Sequence, residues 1–317
     1  MRVLVTGGAG FIGSNIVRRL ADDGHEPVVL DNLSSGFREN LVAGVSFNEA
    51  DVRDAGAVTE AMQGSQLVLH LAASVGNARS IADPVTDAQI NVIGTLNVLQ
   101  AARRHGLRRI VFSSSAGIFG ELKTLPIAED HPQDPDSPYG ASKLAAEKMC
   151  LVFNKLYGMD NVCLRYFNVY GLNQRYDAYG NVIPIFADRI LRRVPMTIYG
   201  DGGQTRDFVN ARDVATANIR AAAADEGVAG VFNIGSGTRV TINELAAMMQ
   251  RLGGCDVGVE HAPERKGDVR DSLADTAAAR AAFGYEPTVE LEPGLAEYLA
   301  WVACDPVTQR QLAEVRP

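Results

Sequence analysis

Short apolar runs alternate with longer amphipathic stretches from the start of the chain. Val3 to Thr6 is rich in β-branched residues and leads directly into glycines, which predicts a short buried strand. Phe11 to Asp23 places its apolar side chains near one face, which predicts a helix that ends at Gly24. The same alternation predicts strands over 27–31, 66–71, 109–113, 162–165 and 231–234, and helices over 88–104, 139–157, 213–224 and 241–252.

Strands that alternate with helices of this length indicate a parallel sheet covered by helices on both faces, so the predicted fold class is α/β with a doubly wound sheet. Beyond Tyr166 the alternation loosens. The glycine-rich stretches 171–180 and 200–204 are predicted to be loops over a site, and the residues from about Asp305 onward a surface tail.

Composition narrows the class of protein. The 317 residues are 46% hydrophobic and 21% charged, which excludes a mainly disordered chain, a collagen-like repeat and a disulfide miniprotein. The 30 Lys and Arg against 38 Asp and Glu give a net charge of −8, which disfavours nucleic acid as the main partner. Because no apolar run reaches the roughly 18 residues of a membrane span, no membrane partner is expected.

The cysteines form neither a C-x-x-C pair nor a cluster with histidines, so no metal site and no disulfide framework are predicted. The apolar N-terminal run is too short for the core of a signal peptide. We therefore expect a cytoplasmic location and reduced thiols at Cys150, Cys163, Cys255 and Cys304.

A glycine-rich stretch joins the first predicted strand to the first predicted helix. Gly8, Gly10 and Gly13 fit the spacing G-x-G-x-x-G, and Gly7 fits the wider G-x-x-G-x-x-G with the last two. Glycine permits a tight turn and a close backbone approach to a pyrophosphate, which the helix N-terminus attracts. A dinucleotide site is therefore predicted, on a Rossmann-type sheet.

Asp31 distinguishes NAD from NADP. It lies at a strand end, 18 residues past Gly13, where a carboxylate accepts hydrogen bonds from the adenosine ribose and repels a 2′-phosphate. NAD is therefore predicted over NADP, although Arg38 nearby keeps NADP open. Asp51 and Val52 suit the adenine edge, with a turn-capping Asp51 as the alternative.

Tyr139 and Lys143 form Y-x-x-x-K on the long predicted helix, a spacing that places both on one face. An ammonium group beside a phenol, together with an oxidised nicotinamide, favours phenolate, so we expect the pKa of Tyr139 to fall. Ser113 to Ser115 end the preceding strand, where side chains point into the ligand cleft of open α/β sheets. The combination predicts acid–base catalysis, whereas a Tyr and Lys pair alone would indicate a surface pair.

With these elements in order, the chain resembles the extended short-chain dehydrogenase/reductase family over essentially its whole length. Within that family it is most similar to the nucleotide-sugar 4-epimerases. The matching motifs are TGGAGFIG (6–13), DN (31–32), DV (51–52), LAA (71–73), Asn91, SSSA (113–116), YGASK (139–143), RYFNVYG (165–171), RDFV (206–209), NIGSG (233–237) and RKGDVRDS (265–272).

The resemblance implies a redox-neutral 4-epimerisation that interconverts UDP-glucose and UDP-galactose through a 4-keto intermediate, with NAD staying bound between turnovers. Tyr139 would take the proton of the sugar 4-hydroxyl, Ser115 would hydrogen-bond the same oxygen, and Lys143 would hold the nicotinamide ribose. It also implies an NAD-binding domain over 1–165, rejoined by segments near 208–232, and a smaller C-terminal α/β domain for the nucleotide sugar over 166–207 and 233–317.

The binding residues are carried over from the matching motifs. Those implied to contact NAD are Gly7, Gly10, Phe11, Ile12, Gly13, Asp31, Asn32, Ser35, Gly36, Asp51, Val52, Leu71, Ala72, Ala73, Asn91, Ser113, Tyr139, Lys143 and Tyr166. Those implied to contact the UDP-sugar are Ser115, Tyr139, Asn168, Val182, Tyr199, Arg206, Arg265, Asp268 and Ser272. Ser272 matches the family's gate beside the sugar, and its small size implies that UDP-GlcNAc and UDP-GalNAc are accepted; an ordinary loop serine is the alternative.

Three other functions on the same fold are considered as alternatives to 4-epimerisation of UDP-glucose. Dehydratases of the family carry an Asp-Glu pair where this chain has Ala116 and Gly117, so elimination of water is disfavoured. A glucuronate 4-epimerase needs a cation for the substrate carboxylate, and Arg79 and Arg175 are candidates, with solvated surface arginines as the alternative. A catalytically silent NAD-binding regulator is disfavoured because Ser115, Tyr139 and Lys143 are all present.

The resemblance further implies a homodimer that packs through the helices over 88–104 and 139–157. The side chains expected on their outward faces are apolar, with burial in the chain's own core as the alternative. These side chains are Val98, Ala102, Met149 and Phe153.

Overall fold

A computed structural model describes residues 1–120, 122–177, 181–264 and 269–314. Its strands are β1 (Arg2–Thr6), β2 (Glu26–Asp31), β3 (Ser46–Glu49), β4 (Leu67–His70), β5 (Ile110–Ser115), β6 (Val162–Tyr166), β7 (Asn168–Tyr170), β8 (Met196–Tyr199), β9 (Thr205–Arg206), β10 (Phe208–Asn210), β11 (Gly230–Ile234), β12 (Val240–Thr241) and β13 (Val259–Ala262). Its α-helices are α1 (Phe11–Asp22), α2 (Ala55–Ala61), α3 (Asn77–Ala82), α4 (Pro84–Ala88), α5 (Thr95–Arg104), α6 (Pro138–Tyr157), α7 (Val182–Arg192), α8 (Ala211–Ala223), α9 (Ile242–Leu252), α10 (Ala277–Phe283), α11 (Leu291–Cys304) and α12 (Pro306–Glu314).

Seven strands form a wholly parallel sheet in the order β11-β6-β5-β4-β1-β2-β3. Side chains alternate along a strand, so in β1 Val3 and Val5 join the core on the face covered by α1 and α8, and Leu4 joins the core under α2, α5 and α6. The predicted doubly wound α/β fold is confirmed. Because the strand order reverses between β1 and β4, a cleft forms at the carboxyl ends of these two strands.

The predicted helix over 88–104 is divided in the structure. A π-helix over Gln89–Gly94 separates α4 from α5, and a Cβ at Gly94 would lie 2.7 Å from a methyl carbon of Val52. The predicted helix over 241–252 is confirmed as α9, and a capping box forms its start: the Thr241 hydroxyl accepts from the Glu244 N–H at 3.1 Å, and the Glu244 carboxylate accepts from the Thr241 N–H at 2.8 Å.

The second half of the chain builds smaller layers beside the carboxyl ends of the large sheet. β7 pairs with β10 and β8 with β13 in parallel, and β9 pairs with β12 in antiparallel fashion. A separate hydrophobic core fills the space between α7, α9 and α11, with Phe186, Met249 and Tyr298 among its buried members.

The prediction of a surface tail from about Asp305 is wrong for residues 305–314. Pro306–Glu314 is helix α12, and Val307 is buried. Asp305 is also buried, because it forms an ion pair with Arg175 at 2.7 Å. A polar sequence does not reveal a partner 130 positions away in the chain.

The expected outward faces of the two long helices are wrong as well. Val98 and Ala102 are completely buried, Phe153 is almost so, and Met149 packs against the same core under the sheet. The burial alternative therefore applies to these four residues. The apolar side chains that are exposed on this side of the molecule include Ile93, Val152 and Leu156.

Two expectations concern the chain as a whole. The four cysteines are free thiols, as predicted. Among the helices of the described residues, none has the length and apolar character needed to cross a bilayer.

Candidate active site

The glycine-rich turn between β1 and α1 is a cradle that larger residues would fill. A Cβ at Gly13 would lie 2.1 Å from the Gly7 carbonyl oxygen, and one at Gly7, where φ is +71°, would lie 2.7 Å from the Ala72 nitrogen. Gly10 occupies the N-cap of α1 and offers no side chain to its free N–H groups. These donors therefore stay available for phosphate oxygens, so the turn fits a dinucleotide pyrophosphate.

Asp31 is buried at the carboxyl end of β2 and is held by the backbone. Its two oxygens accept from the N–H groups of Ala9 at 2.9 Å and Leu33 at 2.8 Å. Burial raises the pKa of Asp31, and these hydrogen bonds oppose the rise. The carboxylate is thus fixed beside the cradle, where the adenosine ribose is expected. Arg38, the residue that kept NADP open, forms an ion pair with Glu49.

The neighbouring residues that are predicted to contact NAD lie close to Asp31 in the chain and to one another. Asn32 donates to Asp51 at 2.8 Å, and Asp51 also accepts from the N–H and the guanidinium of Arg53. Mainly because of the Arg53 guanidinium, the pKa of Asp51 falls to about 2. Asp51 therefore makes the turn contacts of the capping alternative, and its contact with adenine stays a prediction. A Cβ at Gly36, next to Ser35, would lie 2.9 Å from the Ala9 carbonyl carbon.

A buried histidine that the sequence did not single out connects the cradle to the π-helix. His70 Nδ1 lies 2.7 Å from the Thr6 hydroxyl, and that hydroxyl accepts from the Ala72 N–H. On the other side of the ring, His70 Nε2 lies 3.0 Å from the Thr95 hydroxyl, and that hydroxyl donates to the Asn91 carbonyl. Because the Thr95 hydroxyl already donates its proton to Asn91, it can only accept a hydrogen bond from His70. His70 Nε2 therefore carries the ring proton, and Nδ1 accepts from the Thr6 hydroxyl. The signal in the sequence was a single titratable residue at the end of an apolar strand.

Asn91 fixes the strand end that carries Leu71, Ala72 and Ala73. Its Oδ1 accepts from the Ser74 N–H at 2.8 Å, and its Nδ2 donates to the Ser74 carbonyl at 3.1 Å and to the Ser142 hydroxyl at 2.9 Å. Because Ser142 belongs to α6, one amide joins the cofactor side to the helix that carries the predicted catalytic pair.

The structure brings Ser115, Tyr139 and Lys143 to the carboxyl end of β5. Ser115 ends β5 and lies beside the Tyr139 ring near the start of α6: a Cβ at Gly117 would lie 3.3 Å from Ser115 Oγ and 3.7 Å from a ring carbon of Tyr139. The close approach depends on Gly140, where a Cβ would lie 2.3 Å from the Gly117 carbonyl oxygen. One turn on, the Lys143 ammonium lies buried, 4.3 Å from the centroid of the Phe112 ring.

Burial dominates the ionisation of this group. It lowers the pKa of Lys143 to about 8 and raises the pKa of Tyr139, although the neighbouring Ser115 hydroxyl opposes the rise. The expected fall of the Tyr139 pKa is therefore wrong for the protein alone. Any fall then depends on the positive charge of the nicotinamide. Ser113 precedes Ser115 by two residues in β5, and the buried phenol of Tyr166, another predicted NAD contact, donates to the Asn218 amide oxygen at 3.0 Å.

The residues predicted to bind the nucleotide lie in the smaller layers. Asn168 in β7 donates to the Asp207 carbonyl at 3.1 Å, and Arg206 in β9 donates to the Thr205 carbonyl at 2.8 Å. Ser272 is buried in the segment that follows Asp271, whose carboxylate accepts from the Thr205 hydroxyl at 2.6 Å. The structure therefore places the Ser272 segment against β9.

Two further residues predicted to contact the UDP-sugar lie at the ends of a helix and a strand, and two others lie outside the described residues. Val182 is the first residue of α7 and Tyr199 the last of β8. Arg265 and Asp268 lie outside the described residues.

The two arginines that kept a uronate substrate open have protein partners. Arg79 is paired with Asp177 near the surface. Arg175 is buried, and its guanidinium donates to both oxygens of Asp305. The interpretation of Arg175 as a solvated surface arginine is therefore wrong, and its cation is already neutralised within the chain.

Comparison with known proteins decides the family. Residues 3–235 match the model of the NAD dependent epimerase/dehydratase family. The chain belongs to this family. NAD is therefore its cofactor, in agreement with the glycine cradle and Asp31.

Individual relatives in this family are similar over nearly the whole chain. The UDP-glucose 4-epimerase of Mycolicibacterium smegmatis is 39% identical over 306 residues, which cover 94% of this chain and 97% of that protein. The UDP-glucose 4-epimerase of Thermotoga maritima, solved with UDP-glucose, has a TM-score of 0.92 at 38% identity, covering 96% of this chain and 99% of that one. The UDP-N-acetylglucosamine 4-epimerase of Methanobrevibacter ruminantium, solved with UDP-N-acetylmuramic acid, has a TM-score of 0.91 at 36% identity, covering 95% and 98%.

Proposed function

We propose that this protein is an NAD-dependent nucleotide-sugar 4-epimerase that interconverts UDP-glucose and UDP-galactose. The observation that carries the proposal is the grouping of Ser115 with Tyr139, and with Lys143 one turn further on the same helix, at the carboxyl end of the sheet that also carries the glycine cradle. The family includes dehydratases, but Ala116 and Gly117 provide no carboxyl group for elimination where the dehydratases carry one.

The residues divide the chemistry between them. NAD, when bound, supplies a reversible acceptor for hydride. Tyr139 holds the proton of the sugar 4-hydroxyl at its phenol oxygen, and Ser115 hydrogen-bonds the same sugar oxygen and keeps it aligned with the phenol. Lys143, buried one turn further along α6, would hold the nicotinamide ribose.

The nucleotide and the sugar are held by the smaller layers. Arg206 suits the diphosphate because its planar guanidinium binds phosphate oxygens in a bidentate manner. Asn168 lies opposite Phe208 in the β7–β10 pair, and Phe208 follows Arg206 by two residues. Ser272 leaves space for a 2-acetamido group, so UDP-GlcNAc and UDP-GalNAc are proposed as additional substrates. The acetamido-sugar epimerase among the structural relatives supports this extension.

Assembly and location are part of the same proposal. The protein acts in the cytoplasm as a homodimer that buries the exposed apolar residues Ile93, Val152 and Leu156. Residues 1–165, rejoined by segments near 208–232, form the NAD-binding domain, and 166–207 with 233–317 form the nucleotide-sugar domain.

The test is a product assay on purified protein without added NAD, with UDP-glucose, UDP-GlcNAc and UDP-glucuronate in parallel. The expected result is formation of the galacto epimers of the first two, because bound NAD is regenerated in each turnover. Conversion of UDP-glucuronate alone would replace the proposal with the uronate alternative. Steady accumulation of NADH would show a net oxidation and contradict 4-epimerisation altogether.

A further inference from the structure

The buried Arg175 lies where three distant parts of the chain meet. Its Nε and Nη2 donate to the two oxygens of Asp305 at 2.8 and 2.7 Å, and both side chains are only 5% exposed. The guanidinium also lies 4.6 Å from the centroid of the Phe37 ring and 5.4 Å from that of Trp301. A bidentate pair with aromatic faces on its sides has little freedom to rotate.

The third guanidinium donor points toward the glycine cradle. Arg175 Nη1 donates to the Asn40 Oδ1 at 2.7 Å. This contact fixes the orientation of the amide, so Asn40 Nδ2 faces the Ala9 carbonyl and donates to it at 2.8 Å. The same carbonyl accepts from the Phe37 N–H at 3.0 Å, and the Ala9 N–H donates to Asp31 at 2.9 Å. The Ala9 peptide is therefore held on both sides.

At its other end the connection reaches the C-terminal helix. Asp305 Oδ2 accepts from the N–H and the hydroxyl of Thr308 at 2.8 and 2.9 Å, which caps α12. The loop that carries Arg175 also contacts α1: Asn15 donates to the Leu172 carbonyl at 2.8 Å, and Asn173 donates to the Ser14 hydroxyl at 2.9 Å. The C-terminal helix and this loop thus brace the start of α1 and the cradle together.

We propose that Arg175 is a positioning residue for NAD: through Asn40 it holds the glycine cradle in its binding shape and slows the release of the dinucleotide, with Asp305 fixing the guanidinium. The three residues Asn40, Arg175 and Asp305 are called the latch below. The proposal concerns how the cofactor is retained and does not depend on which nucleotide sugar is the substrate. Catalysis that returns the cofactor to its starting state in each turnover benefits from slow release.

The test measures exchange of bound NAD for isotope-labelled NAD in the purified holoenzyme, read by mass spectrometry. Asn40→Ala removes the link to Ala9 and leaves the buried ion pair in place, and Asp305→Asn weakens the pair. We expect each variant to exchange NAD roughly tenfold faster than the native protein, the effect of losing about one buried hydrogen bond. With saturating NAD added, turnover returns to the native value.

The controls separate a latch from a loss of stability. Glu39→Gln removes an exposed ion pair with Arg310 that joins the same turn to the same helix, and it should leave exchange unchanged. Met249→Ala creates a cavity in the core between α7, α9 and α11 and lowers the melting temperature without touching the latch. Should Asp305→Asn fail to fold, Asn40→Ala decides. Native exchange in Asn40→Ala, or an acceleration matched by Met249→Ala at equal loss of melting temperature, would overturn the proposal.

Discussion

The cofactor side and the nucleotide-sugar side of this molecule are built differently. Around the glycine cradle, Asp31, His70 and Asn91 are at most 7% exposed, and each has hydrogen-bond partners within the chain. Around β9 the charges sit instead in exposed ion pairs such as Arg270 with Asp201, whose side chains are 57% and 63% exposed. Exposed pairs contribute little stability and rearrange easily.

We infer from this contrast that the cofactor side is organised before it binds NAD, whereas the charged side chains of the sugar side rearrange on binding. This suits an enzyme whose cofactor stays while its substrates come and go.

The largest expected effect comes from the residue that lies between the two sides. Tyr139→Phe removes the phenol oxygen that holds the proton, so turnover should fall by about 10³-fold, while bound NAD and UDP affinity stay native. Tyr157→Phe, at the exposed end of the same helix, is the matched control. The measurement is the rate of product formation together with NAD content. A Tyr139→Phe variant with near-native turnover would remove the assignment of the base.

This part of the site was predictable because its geometry is local. The spacing of Tyr139 and Lys143 places both on one face of a helix, and Ser115 follows from the end of a strand, so three short patterns define one cluster. The direction of the Tyr139 pKa was not predictable in the same way. It depends on how deeply the surrounding chain buries the phenol, and no motif records that depth.

The second prediction tests the sugar side alone. Arg206→Gln removes a cation proposed to bind the diphosphate, so affinity for UDP should fall roughly 10- to 100-fold, while NAD exchange stays native. Arg239→Gln changes a nearby arginine in an exposed ion pair with Asp271 and should cost little. Calorimetric titration with UDP gives both numbers. Equal losses in the two variants would mean that only general charge attracts the nucleotide.

Features that depend on residues far away in the chain could not be predicted from the sequence. Val98 and Ala102 have the periodicity of a buried helix face, but periodicity does not say whether the sheet or another subunit covers it. Asp305 lies in a polar stretch, and its burial depends on Arg175, 130 positions earlier. His70 ends an apolar strand, and its role became visible only when Thr6 and Thr95 were placed on either side of it.

The third prediction tests how firmly the cofactor side is organised. Burial, with a further contribution from the Lys143 charge, lowers the pKa of His70 to about 3, against an ordinary value of about 6.5. The unfolded chain therefore binds a proton that the folded chain excludes, and stability is lost as the pH falls through this window. This one group should lower the free energy of unfolding by about 1.4 kcal/mol per pH unit between about pH 6 and pH 4.

Urea unfolding across this range, on native protein and on His70→Gln, measures the effect. Glutamine keeps one donor and one acceptor but does not titrate. The free energy of unfolding of His70→Gln should therefore fall less steeply with decreasing pH, by about 1.4 kcal/mol per pH unit. His105→Gln, which changes an exposed histidine, should keep the native slope. An unchanged slope in His70→Gln would show that the His70 environment admits the charged ring.

The smallest expected effect concerns which sugars enter the more adaptable side. Ser272 is buried and small, and a phenol ring in its place would occupy the volume proposed for the 2-acetamido group. Ser272→Tyr should therefore lower kcat/KM for UDP-GlcNAc roughly tenfold relative to UDP-glucose, with turnover of UDP-glucose nearly unchanged. Ser272→Ala, which keeps the volume open, is the control and should preserve the native ratio. Equal losses on both sugars in Ser272→Tyr would mean that the side chain faces away from the pocket and the tyrosine only disturbs packing against β9.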